Sequence, residues 1–494
     1  MVSLGNMFEK CTAPLRALLF VASAVLVMSS CGGGSGDSGN SNLLTPHLDF
    51  TRNTAPADGS FKAIVWLSNA SGATVAFASA PSLTSTRGTV SALTLRGDGK
   101  QEVTVTPDTQ KSGEYTVTLL ATVSGSSVSV SHTAIVMDQV ASGWGQPFSV
   151  DGLVNTVGTQ DSLAVSPDGQ YLFLQYYPVT LSCILDGDPN SALCQTPLGP
   201  VTAPQRPNMP GASRVGANSV TNNCPSLNFY PTTIPLPPIA IYGFHLQADG
   251  SYAEPFVFMF TNNDGCFAPW GPSVHANGDG TYRMFTAFND PRDSGTASDF
   301  AHIYDFNFTP GATQTLGNTS YSSGVQFSNF VLNKATVAGT DSHRGNPHVY
   351  YNGNTPSLLF YDDETVASAS QFIHVSNWNG ISWDAPVALN FSPFNTTGYG
   401  DTQPYFDGTQ LILRNGTQLL SYAYNGGALG SATSWAAPTT LLAPSTSATT
   451  GNVVVVGEPT IATINGVQVL YFVYAIYQAN GSVNIRAGYV RKGL

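Results

Sequence analysis

The sequence predicts an all-β protein built from a β-sandwich followed by a five-bladed β-propeller. Three observations lead there. A degenerate phrase recurs five times, at 160–177, 270–289, 345–363, 400–415 and 457–474, each a polar residue, usually proline, an alternating stretch, a turn and an aromatic-rich strand. Degenerate repetition at this spacing marks a radial array of small sheets. Gly (49), Pro (32) and 11% aromatics against 10% charged residues fit many short strands separated by turns. Upstream of the repeats, alternating runs at 61–68, 101–107, 114–124 and 127–138 are punctuated by Gly, Ser and Asp, the pattern of half-buried antiparallel strands.

The chain opens on an export signal over residues 1–30. Lys10 and Arg16 precede an apolar run from Ala17 to Met28, about twelve residues and too short to span a bilayer as a mature helix. It ends in Met28-Ser29-Ser30-Cys31, which resembles the lipobox of bacterial lipoproteins, with Met28 standing where Leu is usual. The resemblance implies lipidation of Cys31 and an extracytoplasmic protein held to the membrane only through that anchor. Gly32 rather than Asp after the cysteine implies the outer membrane, on its periplasmic or surface face. Residues 31–44, GGGSGDSGNSN at their centre, read as a tether with nothing to bury.

Residues 45–140 form the sandwich unit. The phrase PDTQKSGEYTVTLLATV at 107–123, a turn and then a long alternating strand, resembles a bacterial immunoglobulin-like domain. Such sandwiches imply a stalk or spacer. The fold expected overall is therefore an immunoglobulin-like sandwich followed by a five-bladed β-propeller.

The propeller spans 141–494. A second signal, an aromatic two residues before Ala/Gln/Glu–Pro, appears at Trp144, Tyr252, Trp383 and Trp435, about twenty residues ahead of the next inner-strand phrase. It reads as the outermost strand of the preceding blade, where proline sits on an edge that needs no donor. Trp144 comes before any inner strand, so the strand around Trp144 to Val150 is expected to complete blade five and lock the ring, removing exposed sheet edges. Blade one carries an irregular insertion near 181–237. DSLAVSPDGQYLFLQY at 161–176 resembles the propeller repeats of the periplasmic Tol-associated protein, with S-P-D-G as the turn. That resemblance implies architecture more than activity.

Six cysteines are present, of which Cys11 leaves with the signal and Cys31 carries lipid. Cys183, Cys194, Cys224 and Cys266 remain, an even number in an exported chain, and suggest two disulfides with three possible pairings. Cys183–Cys194 with Cys224–Cys266 is the pairing preferred. No CxxC spacing points to zinc.

Aligned on proline, with Ser162 standing in for it in the first copy, apolar residues fall at Ala164, Val274, Val349, Phe406 and Ile461. Polar residues fall between them: Asp161, Asn346, Gln403 and Glu458 before the proline, then Ser273, His348, Tyr405 and Thr460 after it. Period two sends the two sets to opposite faces, and the polar set is expected at the mouth of the central channel. Asp161, Asn346, His348, Asp401, Gln403 and Glu458 are thus the candidate ligand-binding residues.

Asp161, Asp401 and Glu458 belong to blades one, four and five, neighbours once the ring closes. A carboxylate trio in a funnel is the equipment of glycoside hydrolysis, and five-bladed arabinanase and fructosidase glycosidases use one. This chain departs from their order and motifs, and the S-x-D-x-G-x-x-W boxes of sialidases are absent. His275, His343 and His348 could approach one another on adjacent blades, but scattered histidines more often serve as hydrogen-bonding core or rim residues, so no metal and no cofactor is expected. Arg344 beside Asn346 reads as a carboxylate clamp or a neutraliser, and Asp362, Asp363 and Glu364 as a solvated turn. A formal charge of −12 with no Lys/Arg cluster argues against nucleic acid. The expected role is binding of a glycan, a peptide or an envelope protein at the funnel. Hydrolysis by the trio is the alternative.

Overall fold

The computed structural model describes residues 44–52, 59–177 (apart from 153 and 156–158), 240–259, 270–288, 301–310, 315–316, 319–320, 326–327, 333–339, 342–365, 370–396 and 401–493. The signal, Cys31, the four remaining cysteines and the insertion near 181–237 lie outside these residues. The described chain is all-β. Its only helical turn is the 3-10 segment Ala432–Ser434.

Five antiparallel sheets carry the five repeated phrases on their innermost strands. Blade one is Thr159–Val165, Tyr171–Tyr177, Ala240–Leu246 and Tyr252–Met259, with Gln326–Phe327 added in parallel at its edge. Blade two is Trp270–Ala276, Tyr282–Phe288, His302–Phe308 and Asn333–Lys334. Blade three is His343–Asn352, Thr355–Thr365, Ser370–Asn377 and Val387–Ala388. Blade four is Asp401–Phe406, Gln410–Asn415, Gln418–Ala423 and Thr439–Ala443, extended by Gln139–Val140. Blade five is Val453–Ile464, Val467–Tyr477 and Val483–Arg491, with Phe148–Ser149 as its fourth strand. Each inner strand packs on the next, and that of blade five packs on that of blade one, so the ring is closed.

The upstream aromatics are buried where each blade meets its neighbours: Trp144, Tyr252, Trp383 and Trp435. Trp435, for example, meets Phe394 and Phe406 edge-on in the cluster between blades three and four. Such rings bury large apolar areas between adjacent sheets, beside the aliphatic residues of the same clusters.

The sandwich pairs one sheet, Thr45–Arg52, Phe61–Ser68, Gln101–Thr106 and Thr89–Val90, with a second containing Ser82–Ser85, Gly113–Val123 and Ser126–Val136. In Gly113–Val123 the inward residues Tyr115, Val117, Leu119, Ala121 and Val123 are buried while their neighbours face outward. Full burial of each larger side chain contributes roughly 1.5–3 kcal/mol. The second sheet does not end at the sandwich. Phe148 pairs with Ala134 on one side and Tyr489 on the other, giving one seven-stranded sheet from the hub to the sandwich edge. Phe148 and Tyr489 pack in the sandwich core, and Glu114 receives Arg486 and the Tyr474 hydroxyl across the junction.

Candidate functional site

Every inner strand is broken by a β-bulge at the same level. Pairing with the second strand skips between Asp161 and Ala164, Trp270 and Ser273, Gly345 and His348, Thr402 and Tyr405, and Gly457 and Thr460. The first bulged residue adopts positive φ in all five: Ser162 (53°), Gly271 (60°), Asn346 (41°), Gln403 (56°) and Glu458 (53°). The second is Pro272, Pro347, Pro404 or Pro459, whose missing N–H costs nothing where the ladder is already interrupted. In blade one that place is taken by Leu163. Ser162 is therefore the counterpart of Glu458 and Gln403, not of the prolines, and the sequence alignment of the first copy is one residue out.

Four non-glycine residues in the left-handed region store roughly 1–2 kcal/mol each. Hydrogen bonds running around the hub oppose that strain. Asp362 Oδ1 accepts the Gln403 N–H (2.7 Å) and Oδ2 the Asn346 side chain (2.7 Å). Gln403 Oε1 accepts the Glu458 N–H (3.0 Å), while its Nε2 donates to Glu458 Oε1 (3.1 Å). Glu458 Oε2 accepts the Leu163 N–H (2.9 Å), and Ser162 Oγ donates to Oε1 (3.3 Å). Blades three, four, five and one are tied in series by these side chains.

A second tier lies one step further along the strands. Ser273 Oγ accepts the Val349 N–H (3.1 Å), His348 Nε2 donates to Phe406 O (2.8 Å) and Tyr405 donates to Ile461 O (3.1 Å). The polar set after the proline was expected to face the channel. Ser273, His348, Tyr405 and Thr460 all line the cavity inside the ring, and the first three also reach sideways to the next inner strand. Burial holds the His348 imidazole down at about 4, so it is neutral, and its Nε2 carries the hydrogen that the carbonyl requires.

Inside the ring is a cavity of about 350 Å³. All five inner strands line it, from the bulges to the turns at Pro167, Gly353 and Asp407. Asn346, His348, Gln403 and Glu458 belong to its wall; Asp161 and Asp401 do not. Tyr350 and Tyr351 line it too, with His275 stacked flat on Tyr351 at 3.5 Å between ring centroids. Among the described residues that line it there is no lysine or arginine.

The three candidate acids have different surroundings. Asp401 is 1% exposed, and its two oxygens accept the Asn395 N–H (2.7 Å) and the Asn415 side chain (2.7 Å). Burial raises its pKa. Asp161 and Glu458 are close enough for their charges to act on each other. Burial raises both, and the Asp161 charge raises Glu458 further. Arg414, also buried, feels Asp362, Glu458 and Asp161 and gives its Nε to Thr402 Oγ1 (3.1 Å).

Asp362 and Asp363 are not in a solvated turn. They lie within the strand Thr355–Thr365 and are buried, because that strand runs on past the bulge to pair with Gly345 and Arg344. Among the described residues no group of His, Cys, Asp or Glu is arranged to hold a metal, and His275 and His348 have the separate partners given above. The side chain of His343 lies outside the described residues. Asp362 and Arg414 are hub groups that inner-strand patterning misses. A second-strand signal does point to them: Gln175 interrupts, and Asp362 and Arg414 end, an apolar run directly opposite the start of a bulge.

No protein-family model and no curated protein matches the chain. Among solved structures it is similar to an α-L-arabinofuranosidase from Lactobacillus brevis, at 9% identity over 69% of this chain and 92% of that one, with a TM-score of 0.38. An exo-1,5-α-L-arabinanase from a bovine ruminal metagenomic library aligns at 9% identity over 72% and 94%, with a TM-score of 0.30. Penicillium chrysogenum α-L-arabinanase, complexed with arabinobiose, aligns at 9% over 81% and 93%, with a TM-score of 0.26. At these scores the likeness assigns no activity to this chain.

Proposed function

We propose that this chain is a lipid-anchored, extracytoplasmic binding protein whose propeller takes an uncharged saccharide in the hub cavity. The observation that carries this reading is the cavity itself. Its volume falls in the range of ligand pockets, about 300–1,000 Å³. Tyr350, Tyr351 and His275 offer ring surfaces to the apolar face of a sugar, and Asn346 and Gln403 offer amides at the bulge end. Among the described residues the wall carries Asp407 and Glu458 and no cationic side chain, which disfavours uronic or sialic acids.

Hydrolysis by Asp161, Asp401 and Glu458 has less support. Only Glu458 lines the cavity, and both its oxygens are occupied by donors from neighbouring blades. Titration calorimetry with neutral and acidic oligosaccharides tests the proposal. The expected result is binding of a neutral glycan that His275→Ala weakens at least about tenfold, a loss of roughly 1.4 kcal/mol, with little change in melting temperature. Preference for an acidic glycan, or for a peptide, contradicts it.

A further inference from the structure

We propose that the hub cavity is a blind pocket entered from the face that carries the turns between first and second strands, and that it takes the free end of a saccharide chain. On each inner strand the lining begins at the first bulged residue: Ser162, Gly271, Asn346, Gln403 and Glu458. Among the described residues, none ahead of a bulge reaches the cavity. Burial follows the same axis. Ser162, Gly271 and Glu458 are buried, whereas Pro167 and Gly353 at the turns are exposed and Asp407 is half-buried. The bulges therefore form the floor and the turns the mouth.

Among the described residues the wall has no cleft at its side. The inner strands pack on one another around the whole ring. Side chains bond across them between blades two and three, three and four, four and five, and five and one. At the mouth the Tyr282 hydroxyl donates to Asp168 Oδ2 (2.8 Å), tying blade two to blade one. The turns there are pinned from within, since Asp168, Asp279 and Asp407 each accept the N–H two residues on. An internal stretch of a polymer needs a cleft, or a second opening to leave by. A pocket with one mouth admits only an end.

Partway down, the wall offers hydrogen-bonding groups of both kinds. The neutral His348 ring gives its Nε2 hydrogen to Phe406 O, which leaves Nδ1 as an acceptor. Ser273 Oγ takes the Val349 N–H and keeps a hydrogen to donate. A sugar hydroxyl, donor and acceptor at once, suits that pair. Tyr350 and Tyr351 follow towards the turns, where the next unit of the chain meets a ring. The choice of a saccharide rests on the function proposed above; the direction of entry rests on the cavity alone.

Thiol labelling of the full chain tests the entry without a ligand. Thr460→Cys puts a thiol on the cavity wall, and mass spectrometry of that peptide follows its reaction with a small methanethiosulfonate. Ser273→Cys, on blade two, is a second reporter should the first fold poorly. Pro167→Trp then narrows the mouth and keeps the backbone carbonyl that accepts the Thr463 N–H. The expected result is labelling at least about tenfold slower at an unchanged melting temperature. An unchanged rate overturns the entry. Calorimetry with neutral linear oligosaccharides, free or carrying a bulky group at one end or the other, tests the ligand. Blocking one of the two ends is expected to abolish binding, and binding that survives either block overturns end recognition. Slowed labelling with no oligosaccharide bound upholds the entry and overturns the saccharide.

Discussion

At the scale of single residues, the hub is organised by five backbone positions with positive φ rather than by a set of reactive groups. Gly271 shows why one of them is glycine: a Cβ there would lie 2.5 Å from the Asn346 Cα. Ser162 has more room to vary. Replacing it with glycine removes roughly 1–2 kcal/mol of left-handed strain and loses one long hydrogen bond of comparable worth. Ser162→Gly is therefore expected to leave urea stability within about 1 kcal/mol of wild type, while Ser162→Val, branched at Cβ, costs at least about 2 kcal/mol. The polar character of Asn346, Gln403 and Glu458 was legible in the sequence. Their positive φ was not, because a proline marks the following residue in only four copies and Leu163 hides the fifth.

At the scale of elements, Phe148–Ser149 joins two bodies that the sequence reads as separate. The aromatic before Gln–Pro at Trp144 foretold an N-terminal strand closing blade five, and Phe148 pairs with Tyr489 in that place. The other edge of the same strand was not legible. A two-residue strand has too little periodicity to reveal that it also pairs with Ala134. Phe148 is 3% exposed and stacks on both Phe50 and Tyr489. Phe148→Ala is expected to cost about 3–5 kcal/mol in denaturant unfolding. It should also loosen the sandwich and blade five together, so that tryptophan fluorescence and far-ultraviolet dichroism still report one transition. Two separated transitions would show that the strand does not couple them.

For the whole molecule, the wheel of five sheets was legible because each blade repeats one turn-and-strand phrase, with an aromatic ahead of every phrase but the third. The use made of its polar hub was less so. Alternation places a side chain on a face of a strand, but it does not show that His348 and Tyr405, while lining the cavity, also bond the neighbouring blade. Carboxylates of three blades looked alike in sequence, yet Asp401 is held by Asn395 and Asn415, Asp161 lies off the cavity wall and Glu458 ties the ring. The central claim is that the hub acids hold the propeller closed. Melting temperature and glycan turnover of Glu458→Gln, measured side by side, test it most directly. The amide turns a donor toward Leu163 N–H or toward Ser162 and Gln403, leaving a buried clash of donors worth about 1–3 kcal/mol. The expected result is a melting temperature lower by several degrees with no hydrolytic activity to lose. An unchanged melting temperature together with abolished turnover of a glycan would contradict the account.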